Sequence, residues 1–325
     1  MSDNNGGAIA IKGFDFQAMT VVFFAVKNIN DDNFNVYIES EEDFTLNKAE
    51  DKAYVQVKSM ALSVKKLTKI SKKAKKSILE KNLEAGNEGE YLIYLKEMAK
   101  QDLNQMERVD DSFIKDDAYV FSDSQRLEII SQFKKDKVDK SIVERVQKSR
   151  VFVSKFLDNL NDARIYMIGL MNDNQIDITD NRANLALNEL FILIHEKAEY
   201  IVKKGHERRD YEKKKLTSKD LGHIFTKTKS RDYFKDFLED TNYSFLQKEK
   251  IKRAREVLFT EYYSARKNMD KVFSSYDLDD DCTSNELIEK MKSKLDNDES
   301  NYGDCERFVK IALIIDYISE RAANL

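Results

Sequence analysis

The spacing of apolar residues changes along the chain and separates two regions. In the first of them, helical patterns alternate with short β-rich runs in the order helix, three strands, helix, strand, helix, strand. From there almost to the C-terminus, apolar residues recur every three to four positions, which is the period of an amphipathic helix. The sequence therefore predicts an α+β fold, an α/β core with a mixed sheet, followed by an all-α C-terminal domain.

Local patterns near the N-terminus define the predicted core. Residues 14–28 carry apolar side chains at helical spacing and predict the first helix. Two β-rich runs follow at 36–46 and 53–58, and the polar segment 47–52 between them predicts a hairpin link. The remaining elements predicted for this region are helices at 64–83 and 96–108 and strands at 91–95 and 118–121.

The second region is predicted to be helical throughout. We place the end of the α+β domain at residue 125, with a helical connection over 126–155 and an all-helical domain over 156–325. Its predicted helices lie at 127–133, 142–171, 183–203, 250–273, 285–295 and 306–322. The chain has no proline and only 9 glycines, so few residues break long helices. We interpret this domain, with its heavily charged helix faces, as a partner-binding or oligomerisation domain.

Composition and charge limit the classes of function. The net charge is −4, so contact with nucleic acid requires a local basic patch. Cys282 and Cys305 have no CxxC spacing and indicate neither a disulfide framework nor a zinc site. The N-terminus lacks the pattern of a secretory signal, and no apolar run approaches the ~18 residues that span a bilayer. We therefore expect a cytoplasmic protein without a membrane segment.

Polar side chains suited to metal chemistry converge at the predicted hairpin. Side chains alternate between the faces of a strand, so Gln56 and Lys58 share the face opposite Val55 and Val57. The hairpin brings this face beside Asp43 on the neighbouring strand. A carboxylate and an amide oxygen suit Mg²⁺, and an ammonium beside the metal offsets phosphoryl charge. Exposed strands also carry Gln and Lys on their solvated face, so an ordinary surface strand is the alternative interpretation.

The order of these motifs resembles that of a nuclease family. Asp43 followed by QVK at 56–58 resembles the PD-(D/E)xK nuclease motif in its QxK form. Upstream, GFDFQ at 13–17 resembles the start of the first helix in Mrr-like nucleases, and more closely in effector nucleases of the CD-NTase-associated protein four type. The resemblance covers roughly the first 120 residues. It implies a restriction-endonuclease-like core that hydrolyses DNA phosphodiester bonds with Mg²⁺ or Mn²⁺.

The resemblance also implies a role for each residue of the motif. Asp43 would bind the metal, together with the side-chain oxygen of Gln56 and the backbone carbonyl of Val57. Lys58 would position water or stabilise the pentavalent phosphate. Gln17 would support the metal site from the first helix, although a place on the helix surface is the alternative.

The identity of a second acidic ligand stays open at this point. Glu39 and Glu41 share the strand alternation of Asp43, so either could assist it. The family often has an acidic residue directly before the aspartate, and Glu42 occupies that position.

A run of lysines follows the QVK strand. Seven lysines and no acid fall between residues 65 and 76, and the segment 64–83 is predicted to form one amphipathic, strongly basic helix. Its lysine face consists of Lys65, Lys69, Lys72, Lys73 and Lys76. We interpret this face as a contact to the DNA backbone, whereas a solvated helix face is the alternative.

A nuclease domain followed by a helical region resembles the A subunit of Lamassu systems, also described as ABC three-component effectors. The resemblance rests on architecture and implies a DNA endonuclease effector of anti-phage or anti-plasmid defence. It implies double-stranded DNA as substrate, and an SMC-like ATPase subunit and a small companion subunit that hold the nuclease inactive. Release would allow assembly into a homo-oligomer. Two alternatives remain: a non-catalytic nucleic-acid- or protein-binding subunit with a nuclease-like fold, and a stand-alone Mrr-like restriction enzyme.

Overall fold

The computed structural model describes residues 6–71, 74–156, 159–174, 176, 178–203, 207–258, 261–273, 282–297 and 306–323. The chain forms two compact units, Met1–Ile224 and Phe225–Leu325. The first contains a mixed sheet with helices, and the described part of the second is helical. This arrangement confirms the predicted fold class, an α+β core followed by an all-α region.

The first unit is built on one sheet. Its strands are β1 (Phe34–Ile38), β2 (Phe44–Lys48), β3 (Asp51–Leu62), β4 (Glu90–Met98), β5 (Glu107–Asp111), β6 (Asp116–Val120), β7 (Ser149–Val153) and β8 (Lys215–Thr217). Their order across the sheet is β5-β6-β7-β4-β3-β2-β1-β8. The central strands β3, β4 and β7 are parallel, and the flanking strands pair antiparallel. The long strand β3 is therefore held by neighbours on both sides.

Helices cover both faces of this sheet. They are α1 (Gly6–Lys27), α2 (Val64–Thr68), α3 (Ile78–Glu84), α4 (Lys100–Leu103), α5 (Asp123–Lys135), α6 (Lys140–Glu144), α7 (Leu160–Asp173), α8 (Asp180–Glu199) and α9 (Glu207–Lys213), with a 3₁₀ turn at Arg145–Lys148. α1, α7 and α8 pack together on one face. α2, α3 and α5 cover the other face, where the buried side chains of Tyr54, Ile93 and Leu95 lie.

α1 is a core helix of the first face. The ring centroids of Phe16 and Phe23 each lie 5.9 Å from that of Tyr94 on β4. By length and composition α1 could cross a membrane, so the expectation that no apolar run reaches that length is wrong. Most of its residues from Phe16 to Val26 are buried within this unit, because they pack against the sheet and the neighbouring helices.

A turn interrupts the β-rich run that the sequence predicts over 36–46. β1 and β2 pair antiparallel with Ile38 opposite Phe44, so residues 39–43 form a turn between them. Glu39 opens this turn with a φ of 47°, a left-handed conformation that strands do not use. The side-chain alternation of a strand therefore does not extend through these residues.

Two predicted helices are also replaced by strands. The helix predicted at 142–171 contains β7, which runs parallel to β4 with Val151 opposite Ile93. The helix predicted at 96–108 gives way to the end of β4, the short α4 and the start of β5. A central strand is stabilised by partners that are distant in the sequence, so the spacing of nearby apolar residues does not identify it.

The first unit extends further along the chain than the predicted α+β domain. The sequence places the end of that domain at residue 125 and the start of the helical domain at 156, whereas the first unit reaches Ile224. β7 and β8 belong to its sheet, and α7 and α8 pack against α1. Segments from both sides of the predicted boundaries thus complete one unit.

The second unit has its own core. α10 (Ser218–Glu239) leads into it, and α11 (Phe245–Leu258), α12 (Tyr263–Phe273), α13 (Ser284–Asp296) and α14 (Arg307–Ala323) follow. The α14 residue Asp316 is 1% exposed, and its carboxylate accepts hydrogen bonds from Arg255 Nε and Arg266 Nε, each at 2.9 Å. A buried carboxylate needs such partners, so this trio fixes α11 and α12 relative to α14.

Two glycines of the first unit should respond oppositely to an added methyl group. Gly89 has a φ of +113°, and a Cβ there would lie 2.5 Å from the Lys52 carbonyl oxygen, whereas a Cβ at Gly169 in α7 would meet nothing within 4 Å. We expect Gly89→Ala to lower the free energy of unfolding by ~1–3 kcal/mol. Gly169→Ala should raise it by ~0.5–1 kcal/mol, because alanine favours a helix over glycine.

Urea unfolding followed by far-UV circular dichroism measures both changes. The two variants differ only in where the methyl group is added, so each serves as the control for the other. Equal stabilities of Gly89→Ala and Gly169→Ala would contradict the backbone conformation described for the turn before β4.

Candidate functional site

Gln17 connects α1 to the turn between β1 and β2. Its Nε2 donates hydrogen bonds to the Asp43 carbonyl oxygen at 3.1 Å and to Glu39 Oε1 at 2.7 Å. The same carbonyl oxygen accepts the Glu39 N–H at 2.9 Å, which closes the turn. The preceding residue, Phe16, is fully buried beside Tyr94, and this packing fixes the position of Gln17. Gln17 therefore holds the segment that carries Asp43.

Asp43 is bound to the middle of β3. Its Oδ2 accepts the Val57 N–H at 2.7 Å and lies 3.9 Å from Lys58 Nζ. The last registered pair of β2 and β3 is Phe44 with Val55, so Val57 lies beyond the end of β2, where a side chain can reach its N–H. The N–H and C=O of one strand residue point to the same side, so the Val57 carbonyl is directed toward Asp43 as well.

Gln56 and Glu42 form a buried pair beside Asp43. Gln56 Nε2 donates to Glu42 Oε2 at 3.2 Å, and the residue Gln56 and the side chain of Glu42 are each 1% exposed. Gln56 Oε1 is buried and has no hydrogen-bond partner among the described residues. A buried oxygen without a hydrogen bond costs ~1–3 kcal/mol of folding free energy. The lone pairs of Gln56 Oε1 could instead coordinate a cation.

Glu42 is the acidic residue with the most perturbed environment at this site. Burial raises its pKa from the ordinary value of 4.5 to about 7. The Lys81 ammonium opposes this shift, and the neighbouring Asp43 carboxylate adds to it. Two adjacent carboxylates, one of them deprived of solvent, make a position that favours a bound cation.

Lys81 approaches the same carboxylate from the other side of the site. It lies on α3, its Nζ is 3.9 Å from Glu42 Oε2, and its side chain is 63% exposed. Nothing in the local sequence relates Lys81 to Asp43, because α3 reaches the site only through its packing on the sheet. Glu42 has a local signal, its position next to Asp43, but strand alternation assigns it to the opposite face.

The structure separates the two acids that strand alternation favours. Glu41 is exposed, and its Oε2 pairs with Lys52 Nζ at 2.8 Å. Glu39 accepts the hydrogen bond from Gln17 and touches neither Asp43 Oδ2 nor Lys58 in the described contacts. The turn at 39–43 is the physical reason, because its residues do not alternate as a strand does.

The clustered oxygens fit a divalent cation. Carboxylate oxygens of Asp43 and Glu42, the free Gln56 Oε1 and the Val57 carbonyl are hard donors of the kind that Mg²⁺ accepts. Mg²⁺ retains several waters, so one or two carboxylates suffice to hold it. Within the described part of the chain, no group of three or more His, Cys, Asp and Glu side chains could hold a metal ion. The donor set therefore suits a cation that accepts carbonyl oxygen and water.

The prediction of one continuous basic helix over 64–83 is wrong, because the structure has two short helices there. α2 ends at Thr68, and α3 begins only after Ser77, whose side chain forms a capping box with Glu80. The lysines therefore do not share one helix face. Lys65, Lys69 and Lys76 are exposed, whereas Lys72 and Lys73 lie outside the described residues.

The basic segment nevertheless lies on the face of the sheet that carries the site. Val64 and Leu67 of α2 and Leu79 of α3 pack in one core cluster with Tyr54 of β3. Tyr54, two positions before Gln56 on the same strand, points to the same face. The exposed amines of this segment therefore lie on the same side of the sheet as Gln56 and Lys58, although Lys76 also pairs with Glu84.

The pKa of Glu42 predicts how stability changes with pH in metal-free buffer. Between pH 4.5 and 7 the folded state binds more protons than the unfolded state at this residue, so the free energy of unfolding falls as pH rises. The loss from this one group amounts to at most ~3 kcal/mol. Glu42→Gln keeps the side-chain size but carries no charge, so it should lack this part of the fall.

Urea unfolding in EDTA at pH 5 and pH 8 measures this difference. We expect Glu42→Gln to gain stability relative to the wild type at pH 8 and to gain little at pH 5. Glu41→Gln, which changes an exposed carboxylate on the same turn, is the matched control. Parallel pH profiles for the wild type and Glu42→Gln would refute the assignment.

Comparisons with known proteins place this site in a family. The family model described as Cap4, dsDNA endonuclease domain matches residues 5–199. Lamassu protein LmuA from a Bacillus species is 31% identical over 254 residues, which are 78% of each chain. These matches confirm the resemblance inferred from GFDFQ at 13–17, Asp43 and QVK at 56–58.

A solved structure, that of a Moraxella osloensis Cap4 SAVED/CARF-domain containing receptor, is similar with a TM-score of 0.40 and 13% sequence identity. The match covers 68% of this chain and 48% of that chain, so this chain spans about half the length of the receptor. The family model covers more than half of this chain, including every residue of the site described above. The chain belongs to the family of proteins with a Cap4 dsDNA endonuclease domain, and it is a homologue of Lamassu protein LmuA.

Proposed function

We propose that this chain is a metal-dependent DNA endonuclease and the effector of an anti-phage or anti-plasmid defence system. The observation that carries the proposal is the convergence of Asp43, Gln56 and Lys58 at the end of β2, with Glu42 beside them. The family match supports double-stranded DNA as the substrate, and the similarity to LmuA supports a role in defence. Its proposed place of action is the cytoplasm, where invading DNA is found.

Each side chain has a task in the proposed reaction. Asp43 binds the Val57 N–H through Oδ2, which leaves Oδ1 for a divalent cation. Gln56 Oε1 and the Val57 carbonyl oxygen supply neutral donors to the same cation. Bound Mg²⁺ or Mn²⁺ would stabilise charge on the phosphate and lower the pKa of a coordinated water. Lys58 orients the attacking water or offsets the charge of the pentavalent phosphate.

Glu42 is our candidate for the second acid of the site. It hydrogen-bonds Gln56 through Oε2 and lies within electrostatic reach of Asp43. Because the pKa of Glu42 is about 7, Glu42 would bind a cation most strongly above that pH, where the carboxylate is ionised. Glu39 instead helps Gln17 to hold the turn, and Glu41 pairs with Lys52.

The exposed lysines near the site supply the proposed DNA contacts. Lys65 and Lys69 lie on the same face of the sheet as Gln56 and Lys58, and both are exposed. Amines of this kind contact backbone phosphates without reading sequence. Binding should therefore weaken steeply as the salt concentration rises.

Cleavage of supercoiled plasmid by the purified full-length chain tests the proposal. We expect Mg²⁺- or Mn²⁺-dependent cutting that EDTA abolishes. Asp43→Asn keeps an oxygen for the Val57 N–H but removes the charge, and Lys58→Met keeps the apolar stem but removes the ammonium. Each should reduce the rate ~100-fold or more, which is the usual effect of losing one group that stabilises the transition state.

Matched variants decide what a negative result means. Lys140→Met removes an amine from a 91% exposed side chain on α6, and it should cut at the wild-type rate. Glu42→Gln should cut much more slowly than Glu41→Gln. Mn²⁺ binding by the wild type without cutting would indicate a restrained effector, and absence of both would favour a non-catalytic subunit. Cutting confined to modified DNA would favour a stand-alone restriction enzyme.

Control of the nuclease belongs, in this proposal, to assembly. One copy of the site hydrolyses one strand, so a double-strand break favours a symmetric pair or a larger homo-oligomer. We propose an SMC-like ATPase subunit and a small companion subunit as the partners that hold the chain inactive until release. In the second unit, Phe245 and Leu246 of α11 are 75% and 71% exposed, and adjacent exposed apolar side chains are typical of interaction surfaces.

Replacing both α11 side chains tests the assembly part of the proposal. We expect Phe245→Ser with Leu246→Ser to lower the mass of the self-assembled protein in light scattering and to shift plasmid products from linear to nicked. Ile192→Ser removes a 57% exposed apolar side chain from the first unit and should change neither readout. A double variant with the same mass and products as the wild type would exclude this surface from assembly.

A further inference from the structure

Lys81 is held in a defined place by the anchoring of α3. The helix begins at a capping box in which the Ser77 side chain accepts the Glu80 N–H and the Glu80 carboxylate accepts the Ser77 N–H. Asn82, the residue after Lys81, donates to the Tyr54 carbonyl oxygen on β3 at 3.1 Å. Arg145 binds the Leu83 carbonyl oxygen at 2.7 Å. The capping box fixes the first turn of α3, the Asn82 bond ties the helix to β3, and the Arg145 bond holds its last turn.

Two lysines face the two adjacent carboxylates in matching positions. Lys58 Nζ lies 3.9 Å from Asp43 Oδ2, and Lys81 Nζ lies 3.9 Å from Glu42 Oε2. A separation of 3.9 Å is an ion pair but exceeds the length of a hydrogen bond. Neither ammonium group therefore forms a direct hydrogen bond with the carboxylate that it faces.

Exposure distinguishes Lys81 from the acid that it faces. The Lys81 side chain is 63% exposed, whereas that of Glu42 is 1% exposed. A direct charge-assisted hydrogen bond would offset the desolvation of a buried carboxylate better than an ion pair at 3.9 Å does. Because most of the Lys81 side chain contacts solvent, it remains accessible to a ligand.

The charge of the site changes when a divalent cation is present. Asp43 and Glu42 in their ionised forms balance Lys58 and Lys81, so these four side chains carry no net charge. A bound divalent cation takes up the two carboxylates, and the two ammonium groups are then uncompensated. A phosphodiester is an anion with the chemistry to satisfy both.

We propose that Lys81 is a second phosphate-binding residue of this site, which contacts the DNA backbone beside the phosphate that Lys58 serves. The proposal rests on the proposed function, because it takes DNA as the ligand. It assigns α3 a part in substrate binding. Because the contact is to the backbone, it positions the strand and carries no sequence preference.

The test compares Lys81→Met with Lys140→Met in the full-length chain. Fluorescence anisotropy measures binding of a labelled 30-base-pair duplex between 50 and 300 mM NaCl, in EDTA and in Ca²⁺. Loss of one phosphate contact should reduce the slope of log K against log salt by ~0.9. The effect should be larger in Ca²⁺, which is also bound by oxygen ligands, than in EDTA. Lys140→Met should keep the wild-type slope.

Cleavage kinetics provide the second readout. We expect Lys81→Met to raise KM for the duplex several-fold while kcat changes little, and Lys81→Arg to restore most of the loss. If Lys81→Met lowers the unfolding midpoint, Lys81→Gln provides a second neutral side chain. A slope and a KM equal to those of Lys140→Met would overturn the proposal, even if the pH dependence of stability changed.

The same measurements separate this inference from the function on which it rests. A reduced slope for Lys81→Met in a chain that binds the duplex but neither binds Mn²⁺ nor cuts DNA would support the phosphate contact and reject the nuclease. Metal-dependent cutting by the wild type with unchanged binding and KM in Lys81→Met would support the nuclease and reject the contact. Absence of duplex binding by the wild type in Ca²⁺ would reject both.

Discussion

The hydrogen bond from the Val57 N–H to Asp43 Oδ2 holds the turn between β1 and β2 against the centre of the sheet. A charge-assisted bond of this kind is worth ~1.5–3 kcal/mol, enough to fix one rotamer of Asp43. It forms because the pairing of β2 with β3 ends at Phe44 and Val55. The Val57 N–H, on the same edge of β3, therefore has no partner in β2. The positions of Glu42, Gln56 and Lys58 relative to Asp43 all depend on this junction.

The site gathers charge that the protein alone stabilises poorly. Burial raises the pKa of Glu42 to about 7, and the adjacent Asp43 adds to the cost of ionising it. The unpartnered Gln56 Oε1 is a further unfavourable feature of the same few residues. Such local costs concentrate at functional positions, where a ligand removes them. The structure can hold these unfavourable groups because Gln17 and α3 are fixed by well-packed neighbours. Phe16 packs beside Tyr94, and Asn82 of α3 hydrogen-bonds the Tyr54 carbonyl oxygen.

The second unit also buries a carboxylate, but there the charge is compensated within the protein. The side chains of Asp316 and Glu42 are equally buried, but two arginine Nε groups hydrogen-bond the two oxygens of Asp316. Each oxygen of Asp316 already has a charged donor, so we regard this trio as part of the core. The contrast supports a functional role for the unsatisfied cluster in the first unit rather than for every buried acid.

The sequence by itself determined the fold class, the helix at 14–28, the strand face shared by Gln56 and Lys58, and the family. The first three features depend on period and spacing over a few residues, which local sequence records. The family was indicated by the resemblance of the GFDFQ, Asp43 and QVK motifs to those of known nucleases. The β7 strand, the turn at 39–43 and the break between α2 and α3 were decided by tertiary structure. So were the roles of Glu42 and Lys81, because burial and proximity arise only when β3, the turn and α3 pack together. Residue types thus specified the chemistry, and packing across distant segments specified which groups take part in it.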